Sequence, residues 1–253
     1  MNVKEFYRYI DNLYPKSLSC DWDNDGIMCC ADTSASVEKV IVSLDASLGA
    51  IEYAAANGFD VLLTHHPMIF RKLNAVSIEE YRGNRIVSAI SGGVTVMSFH
   101  TRLDAGVGGV NDCLVRTLGF EPCSSFGDSD CPEAGRIFEL EKPMMSEDFA
   151  LLCKEKLNAS SVRLTGIKKV KRIAVVGGGG GDFIDAAISC GADLLLTGEC
   201  SYNAAQDAAE QGLAVVEAGH FHTEFPVCEM LLQLANECGA KGEIYNSFSC
   251  ETF

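Results

Sequence analysis

The 253-residue chain has five histidines, His65, His66, His100, His220 and His222, and each stands at or just past the end of an apolar, largely β-branched run. Imidazole is the commonest metal ligand near neutral pH. Two of the five have a carboxylate four residues on: Asp104 after His100 and Glu224 after His220. On a helical turn, positions i and i+4 share a face, so His220 and Glu224 can bind one ion together. Neighbouring side chains of an extended segment point to opposite sides, so His65 and His66 suit two ions better than one. Two-metal hydrolases hold such ions roughly 3.5–4 Å apart with a bridging carboxylate. A lone histidine at a strand end reads more simply as a polar cap. Five of them at matching strand ends point to a dinuclear centre of divalent cations. Mixed nitrogen and oxygen donors suit zinc, iron, manganese or cobalt.

The elements that would carry these ligands occur twice. Val37–Thr64 reads as strand, helix and strand, and 170–197 repeats the pattern without a gap. Gly58 and Gly191, Asp60 and Asp193, and Thr64 and Thr197 are all separated by the same offset, 191 − 58 = 193 − 60 = 197 − 64 = 133. A third strand follows in each half, 93–99 and 212–218, and each leads into a His-x-x-x-acid unit. The spacing predicts an internal duplication: two similar α/β halves, 1–125 and 126–253, with the last helix free to pack back on the first half. Strand C-terminal ends collect binding residues in such sheets, so both sets are expected to serve one central site. Residues 121–130 read as a loop, Ile137–Leu140 as a strand, and 146–157 as a helix with Ser146 as N-cap.

Three other features are candidates. Gly177–Gly181 lies between a predicted strand and helix and could offer backbone N–H groups to an anion, which makes Gly178, Gly179 and Gly180 candidate substrate contacts against a plain flexible turn. It completes neither G-x-G-x-x-G nor a P-loop. Glu199 falls where the repeat places His66, and reads as an orienting group or a general acid/base. Trp22 sits in a polar setting that could line the site, although packing is the commoner role. No G-x-S-x-G elbow supports a serine triad, and no C-x-x-C supports a zinc ribbon or ferredoxin cluster. The twelve cysteines read mostly as small apolar core residues kept reduced.

Leu63-Thr64-His65-His66-Pro67, Ser98-Phe99-His100-Thr101-Arg102-Leu103-Asp104, Leu196-Thr197-Gly198-Glu199 and Glu217-Ala218-Gly219-His220-Phe221-His222-Thr223-Glu224 resemble the signatures of the NIF3-like family. Trp22-Asp23-Asn24-Asp25-Gly26 is similar to its W-D-N-x-G. The resemblance runs in order across nearly the whole chain. It implies a two-domain α/β fold with a dinuclear metal centre in the cleft between domains, and assembly as a toroidal hexamer. It implies His65, His66, Asp104, His220 and Glu224 as metal ligands, with His100 beside the metals as a catalytic candidate. His222 falls where members of the family vary. Many members are described as homologues of a type 2 GTP cyclohydrolase I. About fifty residues separate Gly119 from Ile167, so the chain resembles the short form without an inserted domain.

Composition narrows the function. Apolar residues are 47% and charged residues 22%, which excludes a largely disordered chain. The net charge of −15 disfavours nucleic-acid backbones and anionic membranes as partners. No apolar run reaches the 18 residues of a membrane helix, and the N-terminus lacks a signal-peptide core, so a soluble, cytoplasmic protein is expected. Two functions fit: a metal-dependent hydrolase of a nucleotide-like substrate, or a non-enzymatic metal-binding regulator, chaperone or scaffold. Five ligands cannot fill two coordination shells, which favours open positions and the hydrolase.

Overall fold

The β-branched runs that recur along the sequence form the parallel strands of two sheets in the computed structural model, which describes residues 1–246. In chain order the elements are α1 (Val3–Leu13), β1 (Gly26–Cys29), β2 (Lys39–Ser43), α2 (Leu48–Ala56), β3 (Val61–Thr64), α3 (Tyr81–Ser91), β4 (Thr95–Ser98) and α4 (Thr101–Ala105). There follow α5 (Val110–Thr117), β5 (Ser124–Phe126), β6 (Gly135–Met145), α6 (Ser146–Lys156), β7 (Arg163–Thr165) and β8 (Lys169–Gly179). The chain continues through α7 (Ile184–Ser189), β9 (Leu194–Glu199), α8 (Tyr202–Glu210), β10 (Ala214–Glu217), α9 (His220–Glu224), α10 (Val227–Glu237) and β11 (Lys241–Ile244).

Two units result. The first is Met1–Leu103 with the segment that begins at Val227; the second is Asp104–Pro226. The division therefore falls inside α4, well before position 125. The polar stretch read as a loop contains β5, which pairs antiparallel with β6 and so ties this stretch and the α5 before it into the second unit. At the other end, α10 packs on β2, and β11 adds to the first sheet parallel to β2.

The first sheet has the order β1-β4-β3-β2-β11, with only β1 antiparallel. The second has the order β5-β6-β8-β9-β10-β7, with β8, β9 and β10 parallel and antiparallel strands on both sides. Register reproduces the sequence offset. Val40 faces Val61 and Ser43 faces Thr64, as Ile173 faces Leu194 and Val176 faces Thr197. The same carboxylate latch opens both middle strands. Asp60 Oδ2 accepts from the backbone N–H groups of Glu38 and Lys39, and Asp193 Oδ2 from those of Lys171 and Arg172. Gly58 and Gly191 have φ of 66° and 75°, left-handed turns that glycine adopts without Cβ strain.

The third strands match less closely. Thr64 faces Ser98, whereas Thr197 faces Glu217, so the strand offset there is 217 − 98 = 119. The two histidines are separated by 220 − 100 = 120. His220 is thus level with Thr101 rather than His100: both helices start after a two-residue link, Phe99-His100 in one half and Ala218-Gly219 in the other, so Gly219, at φ 88°, stands where the first half has His100.

Each strand of the second sheet alternates its side chains between two cores. Ile173, Val175, Leu194, Leu196, Ala214 and Val216 meet α5 and α6, while Ala174, Val176, Leu195 and Val215 meet α7 and α8. In the first sheet Ile41, Leu62 and Val96 pack against α2 and α3. Ser146 begins α6 rather than capping it. Its hydroxyl donates to the Gly166 carbonyl and accepts from Lys168 N–H, and Met145 occupies the cap position. Among the described residues nine cysteines are free thiols, of which Cys29, Cys153 and Cys228 are buried, while Cys20 and Cys131 are disulfide-bonded, so the reading of the cysteines as reduced core residues holds for a minority. No helix among the described residues is long and apolar enough to cross a membrane.

Candidate metal centre

Three histidines converge at the C-terminal ends of β3 and β4. One ligand nitrogen from each of His65, His66 and His100 falls within 4.8 Å of the others. Ring centroids are 4.9 Å (His65–His66), 5.1 Å (His65–His100) and 5.8 Å (His66–His100) apart. Every Nδ1 is held from behind. His65 Nδ1 donates to the Phe99 carbonyl at 3.1 Å, His66 Nδ1 to Asp45 at 2.8 Å, and His100 Nδ1 to Asp23 at 2.9 Å. A carbonyl or carboxylate oxygen can only accept, so each Nδ1 carries a proton, and in the neutral ring Nε2 is the nitrogen with the lone pair that a metal needs. His65 is fully buried, while His66 and His100 keep 23% and 16% of their side chains exposed. The cluster is therefore open to a small ligand on one side.

The N-terminal acidic motif braces this cluster. Asp23 also accepts from the Thr101 backbone N–H and hydroxyl, fixing the start of α4 behind His100. Burial alone would raise the Asp23 carboxyl, but its bonds to His100 and Thr101 outweigh it and hold the group well below the usual carboxylate range. Asp25 forms a bidentate pair with the fully buried Arg102 at 2.8 and 2.9 Å, and also meets Lys16 and Ser19. Arg102 Nη1 reaches back to Asp11 and the Tyr14 carbonyl of the α1 region. Trp22 itself is exposed, beside His100.

In the second unit His220 and Glu224 share one face of α9, with Nε2 to Oε2 at 3.1 Å, as the i,i+4 spacing requires. Glu199 stands 3.2 Å from His220 Nδ1, the position that Asp45 and Asp23 take behind His66 and His100. That geometry makes Glu199 an orienting partner for His220. His222 points elsewhere. It stacks edge-on against Phe221 and bonds to the Leu157 backbone, and burial pushes its imidazole below the usual value. Asp104, on α4, is half-buried, and its carbonyl accepts from the buried Asn111.

The glycine run is strand rather than phosphate loop as far as Gly179. Its backbone donors are already engaged: Gly177 N–H with Asn111, Gly178 N–H with Thr223, and Gly180 N–H with Thr197. A Cβ on Gly178 would collide with Glu224 Oε1 and stand 3.1 Å from His220 Nε2; one on Gly198 would lie 2.7 Å from the His220 Cα. The glycines thus let α9 lie directly on β8 and β9 and bring His220 and Glu224 over the strand ends. Gly179 and Gly181 of the run border a cavity of about 410 Å³ also lined by Asp182, Glu199, Cys200 and Ser201.

A profile of the Duf34/NIF3 (NGG1p interacting factor 3) family matches residues 1–251. The chain belongs to the Duf34/NIF3 family. A "GTP cyclohydrolase 1 type 2 homolog" of Clostridium acetobutylicum is 35% identical over 89% of this chain and 86% of its own. One from Pyrococcus abyssi is 31% identical over 94% of both chains. Among solved structures, a hypothetical protein of Staphylococcus aureus superposes with a TM-score of 0.88 at 25% identity, covering 98% of this chain and 97% of that one. Within this Duf34/NIF3 chain the bracing contacts of Asp23, Asp45, Asn111 and Arg102 were not assigned from the sequence, although Asp23 and Arg102 lie inside the quoted motifs. Asp45 was reachable in principle: it lies two residues beyond Ser43, which faces Thr64, so the β2–β3 register carried two steps further sets it level with His66.

Proposed function

We propose that the protein is a metal-dependent hydrolase of a nucleotide-like substrate, using two divalent cations held by His65, His66, Asp104, His220 and Glu224. The observation that carries this reading is the set of three clustered imidazoles whose Nδ1 atoms are all bonded to acceptors. That is the pattern of metal-ligating histidines, whose second nitrogen is fixed by an outer partner. A bound cation supplies Lewis acidity and a coordinated water acidic enough to ionise near neutral pH. The chain's own part is positional. Phe99, Asp45, Asp23 and Glu199 fix the tautomer and aim of each ring, and the partly exposed His66 and His100 leave access for substrate. The names of the curated relatives support ring-opening of a purine nucleotide such as GTP as the first reaction to assay.

Purified protein should carry two transition-metal ions per chain by elemental analysis. His65→Ala and His66→Ala should each lose one. Glu224→Gln should fold normally, yet lower metal affinity by roughly ten- to a hundred-fold and nucleotide hydrolysis with it. Two ions retained in both histidine variants would end the dinuclear reading. Stable metal content with no turnover across a panel of nucleotides would favour the metal-binding regulator instead.

A further inference from the structure

Beside the histidine cluster stand two large aromatic side chains that the fold leaves half in water: Trp22 is 56% and Phe70 49% exposed. Their ring centroids are 6.0 Å apart with planes at 84°. Each also meets His100, Trp22 at 6.3 Å and 73°, Phe70 at 5.9 Å and 85°. Three nearly perpendicular rings therefore make a corner, one wall of which is a member of the metal cluster. The corner is held in place. Asn24, two residues after Trp22, donates through its side-chain amide to the carbonyl of Ile69, the neighbour of Phe70. Arg85 donates to the carbonyls of Met68 and Ala46, both at 3.0 Å, and pins the segment that leads to Phe70. Exposed aromatics spend apolar area on water, and two of them fixed together beside a polar cluster mark a recognition site.

We propose that Trp22, Phe70 and His100 form a stacking corner that receives the purine base of the substrate. A planar π-ring laid on one wall presents its edge to the next, the two arrangements that aromatic pairs prefer. The base is favoured over the phosphates as the part held here, because the walls are apolar faces and the chain carries a net −15. This rests on the nucleotide-like reading for the identity of the substrate, and adds which part of it is gripped and by what.

Trp22 is the chain's single tryptophan, so its emission reports this corner alone. The full-length, metal-free protein is titrated with guanosine, GMP and ribose 5-phosphate. Guanosine and GMP should quench Trp22 saturably; ribose 5-phosphate should not. Phe70→Ala should weaken guanosine binding by roughly five- to a hundred-fold, the scale of one lost base–aromatic stack, whereas Phe70→Tyr should restore it. In calorimetry, Trp22→Ala should weaken binding comparably and Trp22→Phe much less. No saturable quenching by guanosine, an equal response to ribose 5-phosphate, or unchanged affinity in Phe70→Ala would each overturn the corner. So would emission that depends on protein concentration but not on guanosine, which would make the pair a contact between copies of the chain. The two readings fail separately. Guanosine binding without nucleotide turnover keeps the corner and removes the hydrolase; turnover with KM unchanged in Phe70→Ala does the reverse.

Discussion

A histidine ring has two nitrogens, and the partner of one decides what the other can do. Asp23 is the most heavily committed of these partners, because one buried carboxylate holds both His100 and the start of α4. Asp23→Asn keeps the shape but offers one acceptor oxygen where two are used, and an N–H group that faces donors. The expected result is an unchanged far-ultraviolet circular dichroism spectrum with metal affinity lowered roughly ten- to a hundred-fold, measured by competition with a chelator. Wild-type affinity in Asp23→Asn would show that His100 needs no carboxylate behind it.

Between elements, small residues and buried charges set how closely the pieces approach. Gly178 combines a left-handed φ of 62° with the contact that brings Glu224 over β8. Gly178→Ala should cost about 1–2 kcal/mol in backbone strain and displace Glu224, weakening metal binding at that position. Gly179→Ala is the control, since a Cβ there meets nothing within 4 Å, and it should leave both stability and metal content unchanged. Chemical denaturation and metal analysis of the pair decide the point. The Asp25–Arg102 pair joins the α1 region, the acidic motif and α4. Burial works to raise the Asp25 carboxyl, yet Arg102 and Lys16 outweigh it and hold its pKa below the ordinary value. A depressed folded-state pKa contributes stability above the unfolded carboxylate range near pH 4, and the contribution is lost as pH falls through the folded value. Wild type should therefore lose stability below about pH 4 more steeply than Asp25→Asn. The variant should be less stable at neutral pH by about 3 kcal/mol, because Arg102 is left with a buried and only partly matched charge.

For the whole molecule, charge and apolar surface pull in opposite directions. The net −15 opposes self-association, while Val76, Ile78 and Tyr81 on one short stretch are all more than half exposed. We propose a homo-oligomer, a hexamer by the family resemblance, in which such surfaces are covered. Static light scattering should give a multiple of 27.2 kDa at micromolar concentration, with assembly strengthened by added salt as repulsion is screened. A 27.2 kDa particle across that range would exclude it.

Local chemistry was legible along the chain. Continuous apolar, largely β-branched runs marked the parallel strands, an ungapped offset of 133 marked their equivalent registers, and His220 with Glu224 marked a helical face. These features depend on neighbours a few residues apart, so pattern and spacing contain them. The supports of the ligands were not legible in the same way. Asp23 and His100 are 77 residues apart and Asp45 and His66 are 21 apart, and each pair meets only because strand order and register bring their loops to one end of a sheet. The glycine run shows the difference most plainly. As composition it reads as a flexible anion-binding turn, but its meaning depends on what lies against it. Only once α9 packs on β8 and β9 does the missing Cβ become the space that Glu224 and His220 occupy.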